Sequence, residues 1–242
     1  MSTPLAVVIP ARNEGHRLPL LLADLACAPA CVGEICLVDG GSGDGTARVA
    51  RLGGARVLVG PPNRGAQLAR GVAATSAPWL LLLHADGRLP RGWEKAVTQA
   101  MDQGPGCCWA FHLGIQGQSL GLRVVERLVD WRTSLFQRPY GDQGLLVHRQ
   151  TLAAVGGVAP IPLMEDLDLI LRLRTVAPIR MLAGRFLVDG RRWQQLGVLR
   201  TTWANAQLRR AWRRGEDPQL LAERYGAYQK AQRRFWGSSS QP

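Results

Sequence analysis

Short apolar runs alternate with helical patterns through the first hundred residues, and this alternation limits the choice of fold more than any other feature. Leu5–Ile9, Ile35–Val38 and Trp79–Leu83 are continuous apolar runs of the kind found in strands that are buried on both faces. Helical patterns over residues 17–27, 46–52 and 66–74 separate them, with a shorter strand pattern at 56–59. Strands that alternate with helices predict an α/β domain with a mostly parallel sheet flanked by helices.

The second half of the chain is less regular. Strands are predicted near 109–113, 144–147 and 179–187, and helices over 120–136 and 167–173. From Trp193 onward the pattern predicts two helices that are interrupted near residues 215–218, and we expect their apolar stripe to pack on the main domain. That stripe consists of Leu196, Leu199, Trp203 and Ala206. We therefore divide the chain into an α/β domain, 1–190, and a helical C-terminal extension, 191–242.

The extension carries most of the excess positive charge. The formal net charge is +12, and residues 191–234 hold eleven Lys and Arg against three acidic residues. Such a surface attracts polyanions, which include nucleic acid, an anionic membrane and phosphorylated substrates. A solvated helical face is the alternative explanation, and the composition favours neither.

Cysteine usage and hydropathy predict a cytoplasmic protein. The five cysteines lack the paired spacing of a zinc site, no signal-peptide pattern precedes Ala6, and no apolar stretch approaches the roughly 20 residues that span a bilayer. We expect Cys36 and Cys107–Cys108 to fill strands. The basic extension adds attachment to the inner face of a membrane as a second prediction.

Acidic residues follow three of the predicted strands. Glu14, Asp39 and Asp86 each come shortly after an apolar run, and Glu165–Asp166 begins an apolar helix. Open α/β sheets bind ligands outside the carboxyl ends of their strands. Carboxylates gathered at that edge can hold a metal, a nucleotide and a proton acceptor together, so the pattern indicates an enzyme.

The loops after the first two strands are candidates for ligand binding. Pro10 ends the first strand, which turns Arg12 and Glu14 toward the crevice, although such loops are often merely solvated. Asp39 can accept hydrogen bonds from a nucleobase or a ribose. Because Asp44 directly precedes a helical pattern, we assign it to helix capping instead.

His84 and Asp86 close the most apolar strand. Residues two apart in an extended chain point the same way, so both side chains can address one cation or one diphosphate. Hard divalent cations prefer oxygen ligands, whereas Mn²⁺ also accepts imidazole. The alternative is that His84 is structural.

The Glu165–Asp166 pair is the candidate for proton transfer. A helix N-terminus favours a negative charge, which keeps a carboxylate ionised and ready to accept a proton. A capping cluster is the alternative, and Asp142, in a separate loop, competes for the role of base. Further along, Arg192 can bind diphosphate oxygens and Trp193 can supply a flat wall.

These segments, in this order, resemble the inverting nucleotide-sugar transferases of glycosyltransferase family 2, which have the GT-A fold. The matching segments are 7–14, 37–46, 63–71, 82–90, 141–149, 164–174 and 191–193. The His-Ala-Asp and Arg-Arg-Trp forms are most similar to a small bacterial subfamily that is associated with arsenosugar biosynthesis.

The resemblance implies a role for each matched residue. Asp39 would contact the uracil or ribose of a UDP-sugar. Asp86 matches the second acid of the family's metal motif, whereas His84 departs from the first. Asp166 matches the catalytic base, with Glu165 beside it. The further substrate-binding residues are Pro10, Ala11, Arg12, Glu14, Arg64, Gln67, Asp142, Arg192 and Trp193, and Asp189 stands where the family has a glutamine.

The sequence therefore predicts a glycosyltransferase that uses Mn²⁺ or Mg²⁺ to move a sugar from a UDP-sugar to the hydroxyl of a small-molecule or lipid-linked acceptor. A sugar-phosphate nucleotidyltransferase is one rival, but the loop after the first strand lacks the Gly-rich, basic pattern of that class. A basic nucleic-acid-binding protein is the other. It leaves the acidic sheet edge unexplained, because carboxylates repel phosphates.

Overall fold

A seven-stranded sheet forms the centre of the computed structural model, which describes residues 5–190, 193 and 197–226. The strand order is β3-β2-β1-β4-β6-β5-β7, and every neighbouring pair is parallel except the two pairs that β6 makes. The strands are β1 (Leu5–Ala11), β2 (Val32–Asp39), β3 (Arg56–Val59), β4 (Trp79–Leu82), β5 (Cys108–Ile115), β6 (Leu145–His148) and β7 (Ile179–Val188). The predicted α/β class with a mostly parallel sheet is confirmed.

Helices cover both faces of the sheet. They are α1 (Leu18–Ala26), α2 (Thr46–Leu52), α3 (Arg64–Ala73), α4 (Trp93–Asp102), α5 (Leu120–Phe136), α6 (Arg149–Ala154), α7 (Glu165–Leu173) and α8 (Val198–Arg213). A 3-10 turn spans Gly141–Gln143, and residues 218–226 are helical. The sequence pattern did not predict α6, because six residues are too few to show a helical period.

The alternation of side chains along β1 explains the two hydrophobic layers. Val7 and Ile9 point into a cluster with apolar residues of α1, α4 and α5. Ala6 and Val8 point into a second cluster, which contains Leu68 of α3 and side chains of α6 and α7. Since successive side chains of a strand face opposite sides, a continuous apolar run is what a strand between two helical layers requires.

Strand register brings the predicted ligand-binding loops to one edge. Ala11, the last residue of β1, pairs with Asp39, the last residue of β2. Leu82 at the end of β4 pairs with Leu145 at the start of β6, because that strand is antiparallel. The 3-10 turn before β6 therefore lies at the same edge as the carboxyl ends of the parallel strands. The strand order reverses between β1 and β4, which is where open α/β sheets bind ligands.

The C-terminal extension packs on the domain differently from the prediction. Trp203 is 65% exposed and Ala206 is also exposed, so the predicted stripe does not face the core there. The buried positions on α8 are Thr201 and Ala211, which are small enough for close helix packing. Leu196 and the side chain of Leu199 fall outside the described residues.

All five cysteines are free thiols, and Cys36 and Cys108 are buried in strands, as predicted, whereas Cys107 is only partly buried. Among the helices that the structure describes, none has both the length and the hydropathy needed to cross a bilayer.

Candidate active site

Two loops at the ends of β1 and β2 hold each other through Asn13 and Ser42. The Asn13 amide donates to Ser42 Oγ at 2.9 Å, and the Gly43 amide donates to Asn13 Oδ1 at 2.9 Å. Asn13 adopts a left-handed conformation with φ 56°, which asparagine tolerates better than most residues. The two loops thus form one rim of the sheet edge.

Asp39 lies buried beneath this rim. Its Oδ2 accepts from the Ser42 amide at 3.1 Å, and its Oδ1 accepts from the Ser42 hydroxyl. Asp44 accepts from the Thr46 amide at 2.9 Å and from the Gly15 amide at 3.0 Å. Asp44 thus bonds the first amide of α2 from the residue before the N-cap, and the N-cap itself is Gly45, which has no capping side chain, so the predicted N-cap role of Asp44 is only partly met. The bonds of Asp39 show that it organises the glycine-rich loop.

Gln67 supports the ends of β1 and β2 from below. Its Nε2 donates to the carbonyls of Ala11 at 3.0 Å and Val38 at 2.7 Å, and the side chain is buried. Both amide hydrogens are therefore used, and only Oε1 remains for a ligand. The prediction that Pro10 ends the first strand is wrong, because β1 continues through it to Ala11. Both residues are buried, whereas Arg12 is exposed.

Glu14 belongs to a cluster of charges around Arg17. The Arg17 guanidinium pairs with Glu14 at 3.0 Å and with Asp189, which follows β7, at 2.6 Å. Burial and the nearby Asp86 raise the pKa of Glu14 to about 7, although Arg17 opposes the shift. No local sequence pattern indicates this bridge, because its partners lie at opposite ends of the domain sequence.

His84 lies against the 3-10 turn and the base candidate. A Cβ atom on Gly141 would lie 2.6 Å from His84 Nε2 and 3.2 Å from Asp166 Oδ2, so this position has room only for glycine. Burial, together with the positive charge of Arg64, lowers the pKa of His84 to about 4. The imidazole is therefore neutral at neutral pH and able to act as a ligand or a hydrogen-bond acceptor.

Asp166 is held by two backbone amides. The Gly141 amide donates to Oδ2 at 2.8 Å, and the Leu167 amide donates to Oδ1 at 2.8 Å. Burial acts to raise the pKa of Asp166, but attraction to Arg64 and these hydrogen bonds outweigh it and lower the pKa below its usual value. The carboxylate is thus ionised throughout the neutral range.

Glu165 is 1% exposed and forms an ion pair with Arg64 of α3. Burial raises the pKa of Glu165, while Arg64 opposes that shift, and Glu165 Oε2 has no hydrogen-bond partner. Burial alone would lower the pKa of Arg64, but Glu165 and Asp166 raise it overall. Both predicted site residues, Glu165 and Arg64, are thus engaged with each other.

The start of α3 also packs closely against the loop before α7. Asn63 Nδ2 donates to the carbonyl of Pro160 at 3.0 Å, and the Gly65 amide donates to the carbonyl of Ile161 at 3.2 Å. A Cβ atom on Gly65 would lie 2.2 Å from the carbonyl oxygen of Ala159. The contact therefore depends on the absence of a side chain at residue 65.

A pocket opens between these elements, with His84, Tyr140, Glu165 and Asp166 in its polar wall. Its apolar wall consists of Leu68, Leu82, Leu83, Leu145, Leu169 and Ile170. An ionised carboxylate in such a partly apolar pocket can accept a proton from a bound hydroxyl.

Asp142 and Tyr140 take part in further electrostatic interactions near Asp166. The sequence pattern indicated Asp142 as a candidate base but did not single out Tyr140. Asp142 Oδ1 is buried with no hydrogen-bond partner, and burial, together with Asp166, raises the pKa of Asp142 to about 6. The guanidinium of Arg132 lies 3.7 Å from the centre of the Tyr140 ring, and that of Arg209 lies 5.2 Å from it. The sequence marks Tyr140 only by its position before Gly141–Asp142.

The described residues contain no group of three or more His, Cys, Asp and Glu side chains that could hold a cation. His84 and Asp86 are the two candidate ligands after β4, but residues 85 and 86 form a turn in which the Gly87 amide donates to the His84 carbonyl at 3.3 Å, so the predicted extended geometry is wrong here. Mg²⁺ and similar ions are often bound by one or two carboxylates together with substrate phosphates. A divalent cation bound after β4 would therefore need ligands from a substrate diphosphate, since the described residues supply no cage of their own.

The structure brings His84, Glu165 and Asp166 together in the pocket wall, with Asp142 near Asp166 but outside that wall. Asp86 interacts with both His84 and Glu14. Asp39 lies two strands away from β4, beyond β1. Trp193 is partly buried against the hydrophobic cluster that contains α1. Arg192 lies outside the described residues.

Comparisons with known proteins agree with this architecture. The family model "Glycosyl transferase family 2" matches residues 6–153. Uncharacterised glycosyltransferases of Mycobacterium bovis and Mycobacterium tuberculosis are 34% identical over 99 residues, which cover 40% of this chain and 44% of theirs. The chain thus spans less than half the length of these relatives.

Solved structures share the fold at low sequence identity. Glucosyl-3-phosphoglycerate synthase from M. tuberculosis, in complex with Mn²⁺, UDP and glucosyl-3-phosphoglycerate, has a TM-score of 0.56 at 22% identity and covers 76% of this chain and 71% of its own. S. aureus TarS in complex with UDP-GlcNAc has a TM-score of 0.59 at 13% identity, with 78% and 58% covered. The predicted GT-A fold is confirmed.

Proposed function

Because the chain belongs to glycosyl transferase family 2, we propose that it transfers a sugar from a nucleotide-diphosphate donor, a UDP-sugar, to an acceptor hydroxyl with inversion. The observation that carries this proposal is the ionised Asp166, which lies in a pocket beside His84. That pocket is at the edge of the sheet where the strand order reverses between β1 and β4. Structural neighbours bound to UDP or UDP-GlcNAc support the choice of donor.

In this proposal Asp166 accepts the proton of the acceptor hydroxyl as that oxygen attacks the anomeric carbon opposite the departing diphosphate. Asp39 contacts the uracil or ribose, and Arg192 stabilises the diphosphate. Glu165 acts through its pair with Arg64, which holds the start of α7 in place. A divalent cation, Mn²⁺ or Mg²⁺, held by Asp86 and His84 with the donor, would supply positive charge at the leaving group.

The direct test is binding and turnover of nucleotide sugars. We expect a panel of nucleotide sugars to raise the melting temperature in the presence of Mn²⁺, with the largest shift for a UDP-sugar, and we expect that sugar to release UDP slowly with water as acceptor. Pyrophosphate release from UTP and a sugar phosphate would instead identify a nucleotidyltransferase. A salt-sensitive gel shift without any nucleotide-sugar binding would identify a nucleic-acid-binding protein.

We further propose that the enzyme works at the inner face of a membrane, where its acceptor is lipid-linked or lies close to the lipid. The basic extension supports this proposal, because the arginines that face outward from α8 would be attracted to anionic lipids. They are Arg200, Arg210, Arg213 and Arg214.

A further inference from the structure

Helix α5 carries large apolar side chains on its outer face. Leu122, Val125 and Thr133 face inward and are buried. The outward apolar residues are 44–83% exposed and follow one another at intervals of three or four, with one more at the last position. They are Leu120, Val124, Leu128, Trp131, Leu135 and Phe136, and together they form the α5 stripe.

The α5 stripe is unlike an ordinary surface helix. A surface helix usually presents charged and polar residues opposite its buried face, whereas the outer face of α5 is mostly apolar and its buried face includes Glu126 and Thr133. Contiguous exposed apolar surface of this kind marks a site of interaction with a protein or a membrane. Arg127 and Ser134 are the polar residues that lie among the exposed positions of the helix.

Helix α8 runs beside α5 and adds positive charge. A Cβ atom on Gly121, near the start of α5, would lie 3.2 Å from Val198 at the start of α8. Farther along, Arg209 of α8 lies near Tyr140, just after the end of α5. Exposed Arg200, Arg210 and Arg214 recur on α8 at intervals that place them on one side of the helix, around exposed Trp203.

We propose that the α5 stripe inserts into the surface of an anionic bilayer while the arginines of α8 bind its headgroups. This inference rests on the proposed membrane-associated function and identifies the surface that performs it. Interfacial helices combine a face of Leu, Phe and Trp with neighbouring Arg, and their binding grows with buried apolar area and with attraction to anionic lipid. A second copy of this chain is the weaker candidate, because two molecules of formal charge +12 repel each other.

Docking in this way would bring the pocket close to the lipid. The chain leaves α5 at Phe136 and enters the 3-10 turn at Gly141, whose amide holds Asp166. The proposed base thus contacts a turn that begins only a few residues after the membrane-facing helix ends. A hydroxyl on a lipid-borne acceptor would reach Asp166 from that side.

The test is sedimentation of the full chain with vesicles of phosphatidylcholine, with and without 30% phosphatidylglycerol. We expect the parent to bind the anionic vesicles at low salt, and the Leu128→Glu/Trp131→Glu variant to bind them at least about tenfold more weakly. Leu52→Glu is the matched control, since Leu52 is 79% exposed on α2, and it should bind as the parent does. Thermal unfolding checks that each variant is folded.

Four outcomes overturn the inference, of which the first three concern the full chain. These three are a parent that binds neither vesicle, a stripe variant that binds as tightly as the parent, and a dimer in sedimentation equilibrium that the same substitutions dissociate. Vesicle binding that appears only after removal of residues 227–242 would assign the stripe to the chain's own C-terminus and overturn it too. Failure of the transferase proposal is distinguishable, because it would abolish the nucleotide-sugar response in every variant and leave vesicle binding intact.

Discussion

The acidic residues at the sheet edge form two groups that are built in different ways. Around Asp39 and Asp44, the hydrogen bonds come mostly from residues two or three positions away in the same loop. Around Glu165 and Asp166, the partners come from 101 and 25 positions away, on α3 and the 3-10 turn. The first group shapes a loop through local chemistry, whereas the second depends on tertiary packing, which also shifts its pKa values.

The largest expected effect is on the second group. Asp166→Asn keeps the shape of the side chain but removes its ability to accept a proton, so UDP release with acceptor should fall by about 10²- to 10⁴-fold. Donor binding, measured by thermal shift, should stay close to that of the parent. Asp168→Asn is the control on the same helix, because Asp168 pairs with Arg172 outside the pocket. If UDP release fell equally in the Asp166→Asn and Asp168→Asn variants, the assignment of Asp166 as the base would be wrong.

The buried ion pair should dominate the stability of this group. Arg64→Met leaves the Glu165 charge buried without its partner, so we expect the free energy of unfolding to fall by about 3–5 kcal/mol in urea denaturation. The double variant Arg64→Met/Glu165→Leu should recover part of that loss, because the unpaired Glu165 charge is gone while Asp166 still lacks its attraction to Arg64. Arg48→Met, at an exposed position of α2, is the control and should change stability by less than about 0.5 kcal/mol. A single variant as stable as the parent would contradict the proposed tertiary origin of the site.

Substitution of Asp86, which lies between the two groups of acids, tests the proposed cation site. Asp86→Ala should weaken donor binding in Mn²⁺ by about tenfold or more, and chelation of the metal should then have little further effect. Asp102→Ala, at the exposed end of α4, is the control and should still respond to chelation. A parent enzyme that binds donor and turns over equally well with a chelator present would exclude the cation from the proposal.

The smallest effect concerns pH and the Glu14 cluster. Burial, with Asp86 nearby, raises the pKa of Glu14 from 4.5 to about 7, so the folded chain holds this proton over a range in which the unfolded chain has lost it. Stability should therefore fall as the pH rises from 5 to 8, by the order of 1 kcal/mol because Glu14 is partly exposed. Glu14→Gln should flatten that slope in thermal unfolding. An unchanged slope would show that Glu14 does not titrate in this range.

The sequence predicts the first group better than the second, for a physical reason. Apolar runs and polar residues at helix starts act over a few positions. Local residues were therefore enough to recognise β1, α2 and β3, together with the role of Asp44 at the start of α2. The Arg17–Asp189 bridge connects the loop after β1 with the end of β7, and no local pattern indicates such a contact. The exposure of Trp203 likewise depends on how α8 packs, and helical spacing alone could not give it.

The resemblance to a family supplied the roles that local patterns could not. The residues alone had already marked Glu165–Asp166 but left helix capping and Asp142 as alternatives, and the resemblance assigned the base role to Asp166. The structure separates the two acids by their surroundings: Glu165 pairs with Arg64, whereas Asp166 faces the pocket and accepts hydrogen bonds from two backbone amides. The membership in glycosyl transferase family 2 is confirmed, whereas the arsenosugar subfamily stays a prediction.

The missing side chain of Gly65 lets α3 pack directly against the loop that precedes the second group. Since its missing Cβ would overlap the carbonyl oxygen of Ala159, even one methyl group there would wedge α3 away from the segment that carries Glu165 and Asp166. Such a displacement would leave every reacting side chain chemically unchanged, and yet it would alter the position of Asp166 and so the activity from outside the pocket. Inhibitors or mutations that separate α3 from the loop before α7 would thus change catalysis indirectly, by moving Glu165 and Asp166.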